Sequence, residues 1–178
     1  MKTTTILGAI ALTAVMATGA MAEAFKPAVV YDFGGRNDRS FNEAAYKGAL
    51  KFKERTGVNF RDFEIQNPSQ REQALRNFAR RGLDPIITIG FAQAAALEKV
   101  AKEFPETHFA IVDAVVDLPN VRSIVFKEGE GSFLVGLLAA NATETDTIGF
   151  VGGMDIPLIR KFACGYKQGA KYVNPDIE

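Results

Sequence analysis

The sequence predicts an α/β fold in which a parallel sheet carries helices on both faces. Short, continuous apolar runs alternate with longer segments whose apolar residues recur at helical spacing. The apolar runs have the character of fully buried strands, which is typical of a parallel sheet between two helical layers. This alternation extends from residue 28 to residue 173, and no internal repeat or block of like charges interrupts it.

The first 22 residues predict a cleaved secretory signal that is not part of this fold. Lys2 precedes an apolar, alanine-rich stretch over residues 6–17, and Ala20-Met21-Ala22 fits a signal peptidase site. The stretch is shorter than the roughly 20 apolar residues that a membrane-spanning helix needs. No cysteine near the cleavage site could carry a lipid. We therefore expect a periplasmic product that does not insert into the membrane after cleavage.

The first half of the remaining chain gives the clearest element boundaries. Gly82 and Pro105 each follow a helical segment, as residues that end helices do. Ser40 and Glu43 fit a capping box at the start of the first helix. A less regular alternation at 58–65 predicts a more exposed strand. The predicted elements are strand 28–31, helix 40–56, strand 58–65, helix 69–81, strand 85–90 and helix 93–104.

The second half continues the alternation. The predicted elements are strands 109–113 and 121–126, helix 130–140, strand 147–152 and helix 157–173. Pro157 suits the first turn of the last helix. Gly129-Glu130-Gly131 suggests a dinucleotide-binding turn, but the third glycine position is Leu134, and Glu130 would repel a pyrophosphate. The sequence therefore predicts no nucleotide cofactor.

The composition excludes several classes of function. Lysine and arginine together number 21, as do aspartate and glutamate, so the chain lacks the basic footprint of a nucleic-acid-binding protein. His108 and Cys164 are each the single residue of their type, so a zinc site or a Ser-His-Asp arrangement has no evident companions. We expect no metal and no cofactor, and we interpret His108 as structural.

The residues that follow the predicted strands are unusually acidic or aromatic. We call this edge of the sheet the rim; it comprises Asp32, Phe33, Gly90, Phe91, Asp113, Phe126, Glu128, Met154 and Asp155. Ligands of such sheets bind at the carboxyl ends of the strands. Carboxylates accept hydrogen bonds from hydroxyl and N–H groups, and rings stack on flat ligands, so Phe33, Phe91 and Met154 are candidate contacts. The alternative is that aspartate and glycine simply favour turns at strand ends.

The segment DFGGRNDRSFN, residues 32–42, resembles the D-x-G-x-x-x-D-x-S-F-N signature of the basic membrane protein family. This family comprises substrate-binding proteins of ABC transporters, among them purine nucleoside receptors. Three further stretches agree in the same order: IITIGFAQAAALEKVAKEFPETHFAIVD, VFKEGEGSFLVGLLAA and IGFVGGMDIPLIRKFACGYKQGA. The resemblance implies a type I periplasmic-binding-protein fold, in which two lobes close on a ligand.

The resemblance also implies site residues, lobes and partners. The ligand contacts implied in the first motif are Asp32, Phe41 and Asn42. Asp113 would accept a hydrogen bond from the edge of a nucleobase. The implied divisions are a first lobe at 23–126, a hinge crossing at 127–129 and an incomplete second lobe at 130–178. The implied protein is a monomer that delivers a purine nucleoside to the permease and ATPase subunits of a transporter. Family members are about twice this length, so we expect the 178 residues alone to bind ligand weakly.

Two other classes of function fit parts of the same pattern. A hydrolase acting on nucleosides would use Asp32 and Asp113 as paired carboxylates. A sensor module would pass the closure of its lobes to a membrane receptor, and fold alone does not separate this from transport. We expect ligand capture without chemistry, because no nucleophile–base pair is evident and the acids follow different strands.

Overall fold

The computed structural model describes residues 25–178, so the predicted signal peptide at 1–22 lies outside the described residues. A short 3-10 helix, Phe91–Gln93, directly precedes the third α-helix. In chain order the other elements are β1 (Ala28–Tyr31), α1 (Phe41–Thr56), β2 (Arg61–Glu64), α2 (Gln70–Arg80), β3 (Ile86–Ile89), α3 (Ala94–Glu103), β4 (Phe109–Val112), β5 (Val121–Ile124), α4 (Glu128–Ala142) and α5 (Pro157–Val173).

The five strands form one parallel sheet in the order β2-β1-β3-β4-β5. Ala28 of β1 is paired with Arg61 of β2 on one side and with Ile86 of β3 on the other. Every strand that the sequence predicts up to residue 126 is therefore present. The strand expected at 58–65 is shorter, covering Arg61–Glu64 as the edge strand of the sheet.

Helices cover both faces of the sheet, as predicted. The face that includes Val30 packs against α2 and α3, and the face that includes Tyr31 packs against α1. The first of these clusters is the larger; its buried members include Leu75, Phe78, Leu97, Val100, Ile86, Phe109 and Ile111. The helical spacing of apolar residues in α2 and α3 thus forms the main core.

The helices α4 and α5 pack chiefly against each other. Their backbones approach closely at glycines: a Cβ built on Gly136 would overlap the carbonyl oxygen of Tyr166, and one built on Gly169 would overlap that of Phe133. α4 also exposes leucine side chains on its other sides. No helix of residues 25–178 is long and apolar enough to cross a membrane.

The prediction of a strand at 147–152 is wrong. These residues form no regular secondary structure and belong to no sheet. A strand requires a partner strand, and none pairs with this segment within the described residues. Its backbone contact is with Glu178: the Ile148 N–H donates to the Glu178 carbonyl at 2.8 Å, and the Glu178 N–H donates to the Asp146 carbonyl at 2.9 Å. The apolar pattern shows that these side chains can be buried, whereas the hydrogen bonds of a β-sheet require a second strand beside the first.

Candidate functional site

The strand order reverses between β1 and β3, because β2 lies on one side of β1 while β3, β4 and β5 follow on the other. Open parallel sheets bind ligands at such a point, outside the carboxyl ends of the strands. Asp32 follows β1 and Gly90 follows β3, and a Cβ built on Gly90 would lie 3.4 Å from Oδ2 of Asp32. The predicted rim residues Asp32 and Gly90 are therefore neighbours at this point.

The loop between β1 and α1 is closed by Asp38. Its carboxylate accepts hydrogen bonds from the backbone N–H groups of Ser40 at 2.8 Å, Asn42 at 3.1 Å and Glu43 at 3.0 Å. Partial burial opposes the charge, but these hydrogen bonds outweigh it and lower the pKa of Asp38. The predicted capping box of Ser40 and Glu43 is therefore wrong. A charged acceptor two residues earlier reaches the same N–H groups, and the Ser40 side chain makes no capping hydrogen bond.

Asn42 lies behind the loop and is only 3% exposed. Its Oδ1 accepts from the Asp32 N–H at 3.3 Å, while its Nδ2 donates to the carbonyls of Asp32 at 3.2 Å and Phe33 at 3.1 Å. Both amide hydrogens are thus used on the chain itself. In this structure Asn42 fixes the turn that presents Asp32 and Phe33, and a direct contact between Asn42 and a ligand stays a prediction.

Arg71, in the first turn of α2, contacts the same turn from the opposite helical layer. Its Nη2 donates to Asp32 Oδ1 at 2.9 Å, and its guanidinium carbon lies 5.0 Å from the centre of the Phe33 ring. No local pattern in the sequence indicates this contact, because Arg71 and Asp32 are 39 residues apart. Phe33 keeps 47% of its surface exposed, so one of its sides remains open.

Aromatic side chains line the rest of the rim. Phe41, at the start of α1, meets Phe126 edge to face with ring centres 6.3 Å apart. Phe126 follows β5, an edge strand, and Phe41 follows the loop after β1. Their contact therefore joins the two sides of the rim, past the ends of β3 and β4. Phe91 follows β3 and is half-buried. Phe41 is 39% exposed, which leaves part of the ring available to a flat ligand.

Asp113 and Glu128 place two carboxyl groups at the ends of β4 and β5. Asp113 has a φ of 74°, which is unusual for a residue other than glycine, and its N–H donates to the Ile124 carbonyl at 2.8 Å. Burial, and secondly the charge of Glu128, raises the pKa of Asp113. Glu128 is 7% exposed, and its Oε1 has no hydrogen-bond partner within residues 25–178. Backbone strain and a buried carboxyl oxygen without a partner, found together, are typical of functional sites.

Asp113→Asn should raise the melting temperature at neutral pH while it weakens solute binding. Asparagine removes a charge that burial disfavours, and it also tolerates positive φ better than aspartate. Because the folded-state pKa is raised, the ionised carboxylate destabilises the fold above that pKa, and the effect disappears once the pH falls below about 4, where the unfolded carboxyl is also protonated. The difference in melting temperature between the two proteins should therefore shrink towards the acidic end of this pH range, where only the pH-independent preference of asparagine for positive φ remains. A gain in stability of the same size at every pH would contradict the role of charge.

The structure does not bring Met154 to the other six predicted site residues. Met154 is 56% exposed and lines a shallow depression beside the start of α5, next to Phe150 and to the ion pair of Asp155 with Arg160. None of the other predicted residues lines this depression. Six of the seven predicted residues therefore lie along the ends of β1, β3 and β4, and a ligand contact from Met154 stays a prediction.

Residues 25–178 match the sequence model of a family described as ABC transporter substrate-binding protein, PnrA-like. The chain belongs to this family. The CD4+ T-cell-stimulating antigen of Listeria monocytogenes is 39% identical over 164 residues, which are 86% of this chain and 45% of that protein. The ABC transporter nucleoside-binding protein BmpA of Lactococcus lactis is 38% identical over 158 residues, again 86% of this chain and 45% of the relative. The chain thus spans less than half the length of these relatives.

Solved structures of substrate-binding proteins agree with this membership of the PnrA-like family. An ABC transporter solute-binding protein from Aeropyrum pernix superposes with a TM-score of 0.76 at 37% identity, over 85% of this chain and 44% of that one. Another from Conexibacter woesei gives a TM-score of 0.62 at 28% identity. The fold is that of the type I periplasmic binding proteins, of which the chain covers about half. The predicted family and fold class are both confirmed.

Proposed function

We propose that this chain is the ligand-binding portion of an extracytoplasmic substrate-binding protein, which captures a small solute and delivers it to an ABC permease and its ATPase. The observation that carries the proposal is the rim at the β1/β3 switch point, where acidic groups and partly exposed aromatic rings meet. Acids that accept hydrogen bonds and rings that stack suit a flat solute with hydroxyl or N–H donors. A purine nucleoside has both features.

Membership of the PnrA-like family and the name of the Lactococcus lactis relative support a nucleoside as the solute. The proposed organisation follows the sequence: a signal peptide at 1–22, a first lobe at 23–126, a hinge crossing at 127–129 and the start of a second lobe at 130–178. The close packing of α4 on α5, apart from the five-stranded sheet, supports a boundary near residue 127. We propose a periplasmic monomer.

Calorimetric titration of the full-length gene product tests the ligand. We expect micromolar or tighter binding of inosine, guanosine or adenosine, and much weaker binding of ribose, which lacks a flat ring. Riboflavin is included as a larger flat solute. If ribose bound as tightly as inosine, stacking on the rim aromatics would play no part in recognition.

The same protein should release no free base from labelled inosine over hours. Asp32 is held by Arg71 and Asp113 follows a different strand, so neither carboxylate is arranged as a partner of the other. Chromatography of the incubated nucleoside measures this directly. Steady release of hypoxanthine would show an enzyme in place of a binding protein.

A further inference from the structure

We propose that Arg71 is a positioning residue of the solute site, which holds Asp32 and Phe33 and selects an uncharged ring over a cationic ligand. The inference rests on the proposed solute-binding function and deepens it, because it assigns a charge preference to one corner of the rim. Arg71 belongs to α2, whereas the signature motif that led to the site lies between β1 and α1. The motif, residues 32–42, does not include Arg71.

The surroundings of Arg71 differ from those of a surface arginine. Its side chain is 14% exposed and that of Asp32 is 20% exposed, and their ion pair measures 2.9 Å. The Nε atom is buried and has no hydrogen-bond partner within residues 25–178. Desolvating a guanidinium in this way is unfavourable unless its contacts compensate. Here the contacts are one carboxylate and one aromatic ring, both of them rim residues.

The contact with Phe33 decides which surface of that ring a ligand meets. The guanidinium covers one side of the ring at 5.0 Å from its centre, and almost half of the side chain remains exposed. Asn42 fixes the backbone of the same residue from behind. A ring held from two directions loses little freedom when a flat solute stacks on its open side, which favours tight binding.

The contact with Asp32 sets the charge of this corner. Of the four rim residues with carboxyl groups, Asp155 lies beside α5 and pairs with Arg160, and the other three, Asp32, Asp113 and Glu128, follow strands of the sheet. Among the ion pairs of residues 25–178, Arg71 is the one cation that pairs with any of the three. Without Arg71 these three carboxyl groups would have no paired cation, an arrangement that attracts positively charged ligands. Arg71 therefore disfavours cationic amines and leaves the corner suited to a neutral ring.

Binding measurements on the full-length protein test both effects. Arg71→Met should weaken inosine binding by about tenfold or more and should create measurable binding of spermidine, a cationic amine. Arg71→Lys keeps the charge, and its affinities for inosine and spermidine should lie between those of the unmodified protein and Arg71→Met. Arg80→Met, an exposed arginine at the end of the same helix, is the matched control and should change neither affinity. Melting curves report whether each variant is folded.

A spectroscopic measurement tests the contact without any ligand. In protein labelled with 4-fluorophenylalanine, the Phe33 resonance is assigned through Phe33→Leu. We expect this resonance to move in Arg71→Met and to stay in place in Arg80→Met. An unmoved resonance overturns the inference, and so does an Arg71→Met protein that melts earlier but keeps its affinity for inosine. If the unmodified protein binds no nucleoside, the proposed ligand fails, while the fluorine shift and the spermidine binding still decide the role of Arg71.

Discussion

Replacing Asn42 with alanine should lower the free energy of unfolding by about 3 kcal/mol and abolish solute binding at the same time. The substitution removes the hydrogen bonds from Asn42 to the Asp32 N–H and to the carbonyls of Asp32 and Phe33, and the Asp32 carbonyl keeps only the longer bond from the Gly35 N–H at 3.4 Å. Each unsatisfied buried group costs about 1–3 kcal/mol, and water can replace part of this loss. The turn that presents both residues to the ligand would then lose its fixed shape. Urea unfolding and nucleoside titration measure the two effects on one variant.

Asn120→Ala provides the matched control for this prediction. The Asn120 side chain also holds backbone carbonyls, those of Ala101, Phe104 and Thr107, at 3.0 to 3.1 Å. It precedes β5 and therefore lies at the amino-terminal edge of the sheet, away from the rim. We expect a comparable loss of stability with unchanged affinity. If Asn42→Ala lost affinity but kept its full stability, Asn42 would be a direct ligand contact, as the sequence predicted.

The fold was predictable because its determinants are local and repeated. In α2 and α3 the apolar residues recur at the spacing that buries one helical face, and the strands between them are continuous apolar runs. The segment 147–152 has the same local pattern, but no strand of the described residues pairs with it. Strand formation depends on a partner from elsewhere in the chain, and an apolar pattern carries no information about that partner.

The site was predictable in its position and less so in its roles. Asp32 and Asp113 could be placed on the rim because residues after parallel strands share one edge. The role of Asn42 could not be derived, because an amide beside a binding loop can face the ligand or the loop itself. Arg71 meets Asp32 only because α2 packs on the face of the sheet beside β1, and this is a tertiary contact between residues far apart in sequence. Asp38 and Ser40 are both plausible caps, and backbone geometry decides between them.

Gly169→Ala should destabilise the α4/α5 pair by about 2–4 kcal/mol, which is large for the addition of one methyl group. A Cβ at this position overlaps the Phe133 carbonyl, and backbone cannot rotate away as a flexible side chain can. The two helices must therefore move apart along the contact that also includes Gly136. Alanine favours a helix over glycine by about 1 kcal/mol, which offsets part of the loss without reversing it.

Gly131→Ala, on α4, separates the effect of close packing from that of helix propensity. No atom lies within 4 Å of the Cβ that would be added there, so this variant should gain up to about 1 kcal/mol. Hydrogen exchange of the α4 and α5 amides measures both variants locally, since the two helices pack chiefly on each other and not on the sheet. We expect faster exchange in Gly169→Ala, unchanged or slower exchange in Gly131→Ala, and little change in β1 or β3 for either. Equal exchange in the two variants would mean that the helices do not meet at Gly169, and the boundary proposed near residue 127 would then lose its main support.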